Sequence, residues 1–435
     1  MRKRLIILAI LIGFMVACTQ GTPQVSLRSI STPVLRDSPA LPTALGVISA
    51  TRLEGELGMG PPQNFGHAIA LGEGVLAVGA PDQTGNPGNQ PGRVYVFQHE
   101  GDDWIETAQL FSSDRDDGFQ YDQNFGMAVA MNGDLFFVGA PDADDPQLGD
   151  NSGAVYVFQN GPDGWTEIER LTAEQPIANA GFGSQLQVSG DTLVVGEGYQ
   201  GSQMHFFHNQ GQGWRQQASL EIPQIDDLET SVGVMALFGD TLAVSVVARQ
   251  GEREQTSLFS KLIIYQHRAG QWEQVDVITF GESGWGDYPV ALSLDGSQGQ
   301  ASRLAVGSMN SQSGFLAGAV YIYDAGPSGW ERHASLTAPD GQPWGFFGSS
   351  LALDGDMLLV GASGASEDSF WDGVAYAFQY HQGNWVDQLR LTPPEDGGSG
   401  DFFGANVAIQ GDTFLISAPN EFGRAVYVFE IGERP

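Results

Sequence analysis

A chain of 435 residues with 59 glycines, 16% charged residues and a formal net charge of −33 excludes two function classes at once. Nucleic-acid binding rests on a positive footprint and adsorption to anionic lipid on basic clusters, yet Lys3 and Lys261 are the only lysines here. The single cysteine, Cys18, rules out an intramolecular disulfide.

The chain opens on Arg2, Lys3 and Arg4, followed by an uncharged apolar run, Leu5–Ala17. As a helix this run spans about 20 Å, too short for the ~30 Å hydrocarbon core of a bilayer, and it fits the apolar region of a secretory signal. Met15-Val16-Ala17-Cys18 resembles the bacterial lipobox, although Met15 departs from its usual Leu. That resemblance implies cleavage after Ala17, lipidation of Cys18, and an exported protein anchored at the outer membrane or cell surface of a bacterium. Thr19–Leu45 is rich in Ser, Thr and Pro without periodicity and reads as a disordered tether. The expected organisation is therefore a signal peptide over 1–17, a tether over 18–45 and one repeat domain over 46–435.

The domain is organised around a unit seen most plainly at Asn124–Leu171. It holds four short apolar runs, Met127–Met131, Leu135–Val138, Ala154–Phe158 and Trp165–Leu171, divided by Asn132–Asp134, a Gly/Asp-rich loop and Gly161–Gly164. Runs of this length, rich in Val, Phe and Tyr and bounded by Gly, Asn and Asp, predict strands, and Asn-Gly between the first two predicts a hairpin. The unit is a four-stranded antiparallel meander, and it recurs. Its opening Phe-Gly stands at 65, 125, 182, 347 and 403, with Val232-Gly233 and the region of Tyr288 in two weaker slots. Its Trp stands at 104, 165, 214, 272, 330 and 385. A period of this length marks an array of supersecondary units, and four-stranded units in this number close into an all-β propeller, with seven blades the expected count.

Phe-Gly, a small-residue strand, a Gly-Asp turn and Val-Gly-Ala-Pro, strongest at Gly79-Ala80-Pro81 and Gly139-Ala140-Pro141, together resemble the FG-GAP repeat. That repeat builds the propeller of integrin α subunits and of many bacterial surface proteins. The resemblance covers about Val47 to Glu430 and implies a recognition or adhesion module. Gly46–Gly55 lacks a Trp but is similar to fourth-strand segments such as Trp165–Ala173, and the last repeat lacks a fourth strand of its own. The expected last blade is therefore completed by an N-terminal strand, which leaves no long free edge. The repeated Phe and Trp read as core, and the Gly after each Phe as a site of close backbone approach. Repeats four and five are degenerate, with a longer first hairpin loop expected at Asp295–Ser302.

Integrin-type repeats often carry a calcium loop between their first two strands. Here those turns are tight and hold one or two carboxylates, short of the six to eight oxygens calcium needs. Two other loops are acidic, one with Asp114, Asp116, Asp117 and Asp122 and the other with Asp142, Asp144, Asp145 and Asp150, but neither has calcium-loop spacing. No metal, cofactor or catalytic residue is predicted, since no nucleophile elbow, zinc motif or phosphate loop occurs. His99, His267, His333 and His381 fall at or beside the third-to-fourth hairpins and read as exposed turn residues.

The meander separates two ends. Short turns lie at one end, and the long second-to-third and fourth-to-first loops, where binding residues concentrate, at the other. Candidate ligand-binding residues there are Tyr121, Asp122, Trp285, Asp287, Trp344, Asp368, Trp371 and Asp372, with Tyr199, Phe370 and Asp82 nearby in the pattern. Aromatic platforms interleaved with carboxylates suit a glycan or a basic segment of an extracellular protein. The expected function is a non-catalytic surface module with such a partner, no nucleic acid, and membrane contact only through the anchor. A polysaccharide-active enzyme with a site over the axis, and a spacer without ligand, are the alternatives.

Overall fold

The computed structural model describes residues 44–433, apart from 56–63, 83–90, 115–122, 145–149, 199–201, 226–227, 229, 251–256, 281–287, 310–315, 342–343, 366–370, 395–400 and 421–423. Their strands form seven four-stranded antiparallel sheets, and among the described residues there is no helix. Six sheets are meanders in sequence order: blade 1 (68–110), blade 2 (128–171), blade 3 (185–221), blade 4 (230–280), blade 5 (289–336) and blade 6 (347–391). Blade 7 takes three strands from 407–433 and its fourth from Leu45–Leu53. The expected shared blade is thus present. Its register repeats that of the other blades: Arg52 stands opposite Tyr427, as Arg170 does opposite Tyr156 and Arg390 opposite Tyr376.

Seven hydrophobic clusters hold the molecule together, and each spans one blade boundary. One joins Val94 and Val96 of blade 1 to Phe136 and Tyr156 of blade 2. Another joins Leu53, Val426 and Val428 of blade 7 to Phe65, Leu76 and Tyr95 at blade 1, so the ring is closed. The third strands are apolar at consecutive positions because both faces are covered: Val94, Tyr95 and Val96 are fully buried. The repeated Phe does plug the boundary. Phe65 is fully buried, edge-on to Tyr95 with ring centroids 5.2 Å apart. All six repeated Trp pack on these clusters, with Trp165 stacked on Phe136 at 4.2 Å and Trp214 edge-on to Phe137.

The co-occurrence of Phe-Gly and Gly-Ala-Pro has a steric cause. A Cβ on Gly79 would lie 2.2 Å from the carbonyl oxygen of Gly126 in the next blade. Gly139 meets Gly183, Gly307 meets Gly348 and Gly361 meets Gly404 in the same way. Each boundary of this kind needs two facing glycines, one from each motif.

Two expectations are corrected. The first hairpin of blade 5 is not a longer loop. Its strands run on to Ser297 and from Gln300, and Gln298 and Gly299 close a tight turn with left-handed φ of 54° and 73°. A bulge after Asp295 absorbs the extra residue. His333 is exposed, as expected, but it is not a turn residue. It sits at the one-residue bulge of its fourth strand, with Nδ1 2.9 Å from Asp324 Oδ2 and Nε2 3.1 Å from the Gly383 carbonyl of blade 6.

Candidate functional site

At the long-loop end three of the Phe-Gly pairs are stitched to the preceding blade by backbone. Phe182 N donates to Ser152 O, Phe347 N to Ala317 O and Phe403 N to Asp372 O, at 3.0–3.1 Å. One residue earlier, Gly181 N donates to Asn151 O, Phe346 N to Leu316 O and Phe402 N to Trp371 O. The crossing residues take left-handed φ. In blades 1 to 3 they are types that tolerate it: Asn64 (58°), Asn124 (53°), Asn151 (54°) and Gly181 (68°). In blades 5 to 7 they are Leu316 (55°), Phe346 (52°), Trp371 (73°) and Phe402 (55°), with Trp344 (65°) beside them.

A bulky residue in this region costs about 1–2 kcal/mol, and such strain persists only where the surroundings over-determine it. The paired interblade hydrogen bonds supply that constraint. They also bring the rings together: Trp371 lies 5.2 Å from Phe346 and 5.4 Å from Phe402 between centroids. Phe346 is buried, Trp371 and Phe402 are half-buried, and Trp344 is 51% exposed. The result is a strained aromatic ridge crossing from blade 5 to blade 7.

Of the sequence-predicted site residues, Trp344, Trp371 and Asp372 belong to this ridge or its edge. Asp372 is half-buried, and its carbonyl holds Phe403. Tyr121, Asp122, Trp285, Asp287 and Asp368 lie outside the described residues, as do Tyr199, Phe370 and Cys18. Sequence reasoning missed Phe346 and Phe402. The signal was available, since Phe346-Phe347-Gly348 and Phe402-Phe403-Gly404 stand where blades 1 and 2 have Asn-Phe-Gly.

Much of the acidic character has structural work. Asp114 accepts from Tyr156 Oη at 2.7 Å and pairs with Arg170 Nε at 3.1 Å. Asp340 accepts from Tyr376 Oη at 2.6 Å and pairs with Arg390. Both Asp residues come from the loop before a blade and tie it to that blade's third and fourth strands. Burial pushes both phenols well above the usual tyrosine range, and the adjacent carboxylates push the same way while the Arg side chains oppose it. In blade 3 His205 replaces the tyrosine, and its Nε2 lies 3.1 Å from Glu197, both side chains buried. Asp142 accepts from Asn124 Nδ2 at 2.6 Å, and Asp144 from Asn151 N at 2.8 Å. Among the described residues no group of His, Cys, Asp and Glu is placed to hold a metal ion.

Residues 104–158, 165–206, 330–378 and 385–429 match the FG-GAP repeat, so the chain carries FG-GAP repeats on a seven-bladed propeller. Each match starts at or near a fourth strand and ends within the next blade's third strand. No curated protein sequence matches the chain. Among solved structures, a chain of the Mitotic Checkpoint Complex is 14% identical, with 94% of this chain and 100% of that one covered and a TM-score of 0.54. Chaetomium thermophilum Sqt1, bound to the N-terminus of the ribosomal protein L10, is 12% identical over 83% and 96% of the two chains, with a TM-score of 0.49. The first is a likeness of fold alone.

Proposed function

We propose that this protein is an exported recognition module, anchored through a lipidated Cys18, that binds an extracellular protein or glycan through the long-loop end of its propeller without transforming it. Propellers host many unrelated functions, so the proposal rests on one site-level observation. Phe346, Trp371 and Phe402 hold left-handed backbone at crossings where blades 1 to 3 use Asn and Gly, with Trp344 left-handed beside them. Strain retained in exposed and half-exposed aromatics is characteristic of ligand clamps, and flat aromatic faces beside carboxylates match the rings of a glycan or the side chains of a basic peptide.

The test is binding of the protein to arrays of glycans and of extracellular protein fragments, with Trp371→Ala and Trp344→Ala alongside. Capture of a ligand that both substitutions weaken, with the ligand recovered unchanged, is the expected result. Recovery of a cleaved glycan would identify an enzyme instead. Binding indifferent to both substitutions would remove the ridge from the function.

A further inference from the structure

We propose a second binding site, at the opposite, short-turn end of the ring where blades 7, 1 and 2 meet, that takes a neutral oligosaccharide. It goes beyond the recognition proposed for the long-loop end and shares no residue with it.

The site exists because a repeated contact is missing there. At the short-turn end the inner hairpins of neighbouring blades are tied turn to turn. Asn132 Nδ2 donates to Gly190 O at 2.7 Å, Gly239 N to Ser189 Oγ at 2.9 Å and Asp240 N to Gly299 O at 3.3 Å. Gly355 N donates to Asp295 Oδ2 at 2.9 Å, and Gly411 N to Asp354 Oδ2 at 2.7 Å. These bonds run from blade 2 round to blade 7. In blades 2, 3 and 6 the residue just before the turn glycine carries the bonding side chain: Asn132, Ser189 or Asp354. In blade 1 that place is Gly72, which has none, and the space its Cβ would need is filled by the end of Met131. Among the described residues the 1/2 boundary therefore has no such tie, and at the 7/1 boundary Gln410, which holds the equivalent place in blade 7, makes none.

A cavity of about 570 Å³ opens at this gap, bordered by Glu73, Asp134, Asn160, Gln410, Met131 and Trp165. A smaller one of about 300 Å³ continues it past Glu73 and Gln410 to Trp104. The combined space falls in the ~300–1,000 Å³ range of small-molecule sites.

The lining chooses the ligand. No Lys or Arg borders either cavity, and the one histidine there, His99 in the smaller one, packs against Trp104 at 5.0 Å, so the larger cavity offers an anion no counter-charge. Glu73 and Asp134 are exposed, and exposed carboxylates contribute little to holding a cation. Asp134 Oδ2 is already occupied by Gln159 Nε2 at 2.8 Å. What remains is a mixture of amide and carboxylate groups. Amide N–H groups donate to hydroxyls and carboxylates accept from them, the pattern that vicinal sugar hydroxyls satisfy. Met131 and Trp165 add apolar surface for a pyranose C–H face, and Phe136, stacked on the indole at 4.2 Å, fixes that wall.

The experiment titrates the full chain with a defined panel of neutral malto-, cello-, manno- and galacto-oligosaccharides, and with oligolysine. At least one neutral oligosaccharide should bind saturably. Asn160→Ala and Gln410→Ala, both at exposed positions, should each weaken it about tenfold, the effect of one lost hydrogen-bonding group, with unchanged melting. Trp344→Ala should leave it unaffected. The site is refuted if no neutral oligosaccharide binds, if binding ignores Asn160→Ala and Gln410→Ala, or if only oligolysine binds through these residues. Failure here leaves the long-loop proposal standing, because that one is read through Trp344 and Trp371 at the other end.

Discussion

Asn406 Nδ2 in blade 7 donates to the Gly66 carbonyl of blade 1 at 3.2 Å, across 340 positions of sequence. The same amide reaches His67 O at 3.0 Å and Ser417 Oγ at 3.2 Å. Ser350 Oγ holds Gly404 O in the same way at 2.8 Å, and Gln185 Nε2 holds Gly233 O. Asn406, Ser350 and Gln185 all stand two residues after the glycine of their blade's Phe-Gly or its equivalent. At this point Ala68 and Ala128 fill the place in blades 1 and 2, where two facing glycines make the contact alone, whereas the boundary of blades 6 and 7 has both Ser350 and the glycine pair Gly361 and Gly404. The polar residues are latches across a boundary, and Asn406 is the latch that closes the ring.

Asn406→Ala should therefore cost about 1–3 kcal/mol, the penalty for leaving partly buried carbonyls without their donor. Urea unfolding of this variant beside Ala405→Ser, an adjacent position with no latch, checks it. Equal midpoints would mean that closure does not depend on this amide.

Removing 44–55 takes away the fourth strand of blade 7, including buried Leu53, and exposes the paired edge of Ala425–Glu433. A clear fall in melting temperature and a gain in aggregation are expected, whereas removing 19–43 should leave melting unchanged. Two truncations that melt alike would show that the N-terminal strand contributes nothing to closure.

The architecture was legible because propeller packing writes itself into repeats. Phe65, Trp165 and Gly79 are fixed by contacts that recur at almost every boundary, so their spacing alone announces blades. Even the shared blade could be read, since Arg52-Leu53 repeats Arg170-Leu171. The ridge was half legible. Trp344 and Trp371 stood out as aromatics foreign to the pattern, but Phe346 and Phe402 hid beside the repeated Phe. What marks them is Phe at a left-handed position where blades 1 and 2 have Asn. The cavity at the opposite end was not legible as a site, because it arises from one glycine, Gly72, where neighbouring repeats have a polar side chain.

The tyrosines set the alkaline limit of stability. Burial raises the hydroxyls of Tyr95, Tyr156, Tyr265, Tyr323 and Tyr376 above their ordinary value. A raised folded value favours the neutral phenol, so this stability is fully present below the unfolded value of about 10 and is lost as pH climbs from there toward the folded values. Melting temperature should fall steeply above about pH 10, and Tyr156→Phe should make that fall shallower. An alkaline arm unchanged by Tyr156→Phe would remove this tyrosine from the account.

Cys18 follows a short apolar leader directly, so Cys18→Ala should move the protein from the membrane fraction to the soluble fraction. Fractionation of cells expressing both forms decides it, and an unchanged membrane fraction would rule out lipid anchoring at this residue.

The ridge predicts a separation of stability from binding. Trp344 is 51% exposed and sits at φ 65°, so its side chain stabilises little while its backbone is strained. Trp344→Asn places there the residue type that blades 1 and 2 use at left-handed crossings. It should leave stability unchanged or raise it by up to about 1 kcal/mol as strain is relieved. If the ridge binds the ligand, the same change removes a stacking surface worth about 2 kcal/mol at a hot spot, roughly a thirtyfold loss of affinity. Trp214, only 2% exposed and packed edge-on against Phe137, should behave in the opposite way. Trp214→Ala should lose about 3–5 kcal/mol of stability and lose binding only in step with unfolding. Paired melting and binding curves for the two variants read both effects. If Trp344→Asn melts early like Trp214→Ala, the strained tryptophan is part of the core, and the long-loop end loses its claim to be the recognition surface.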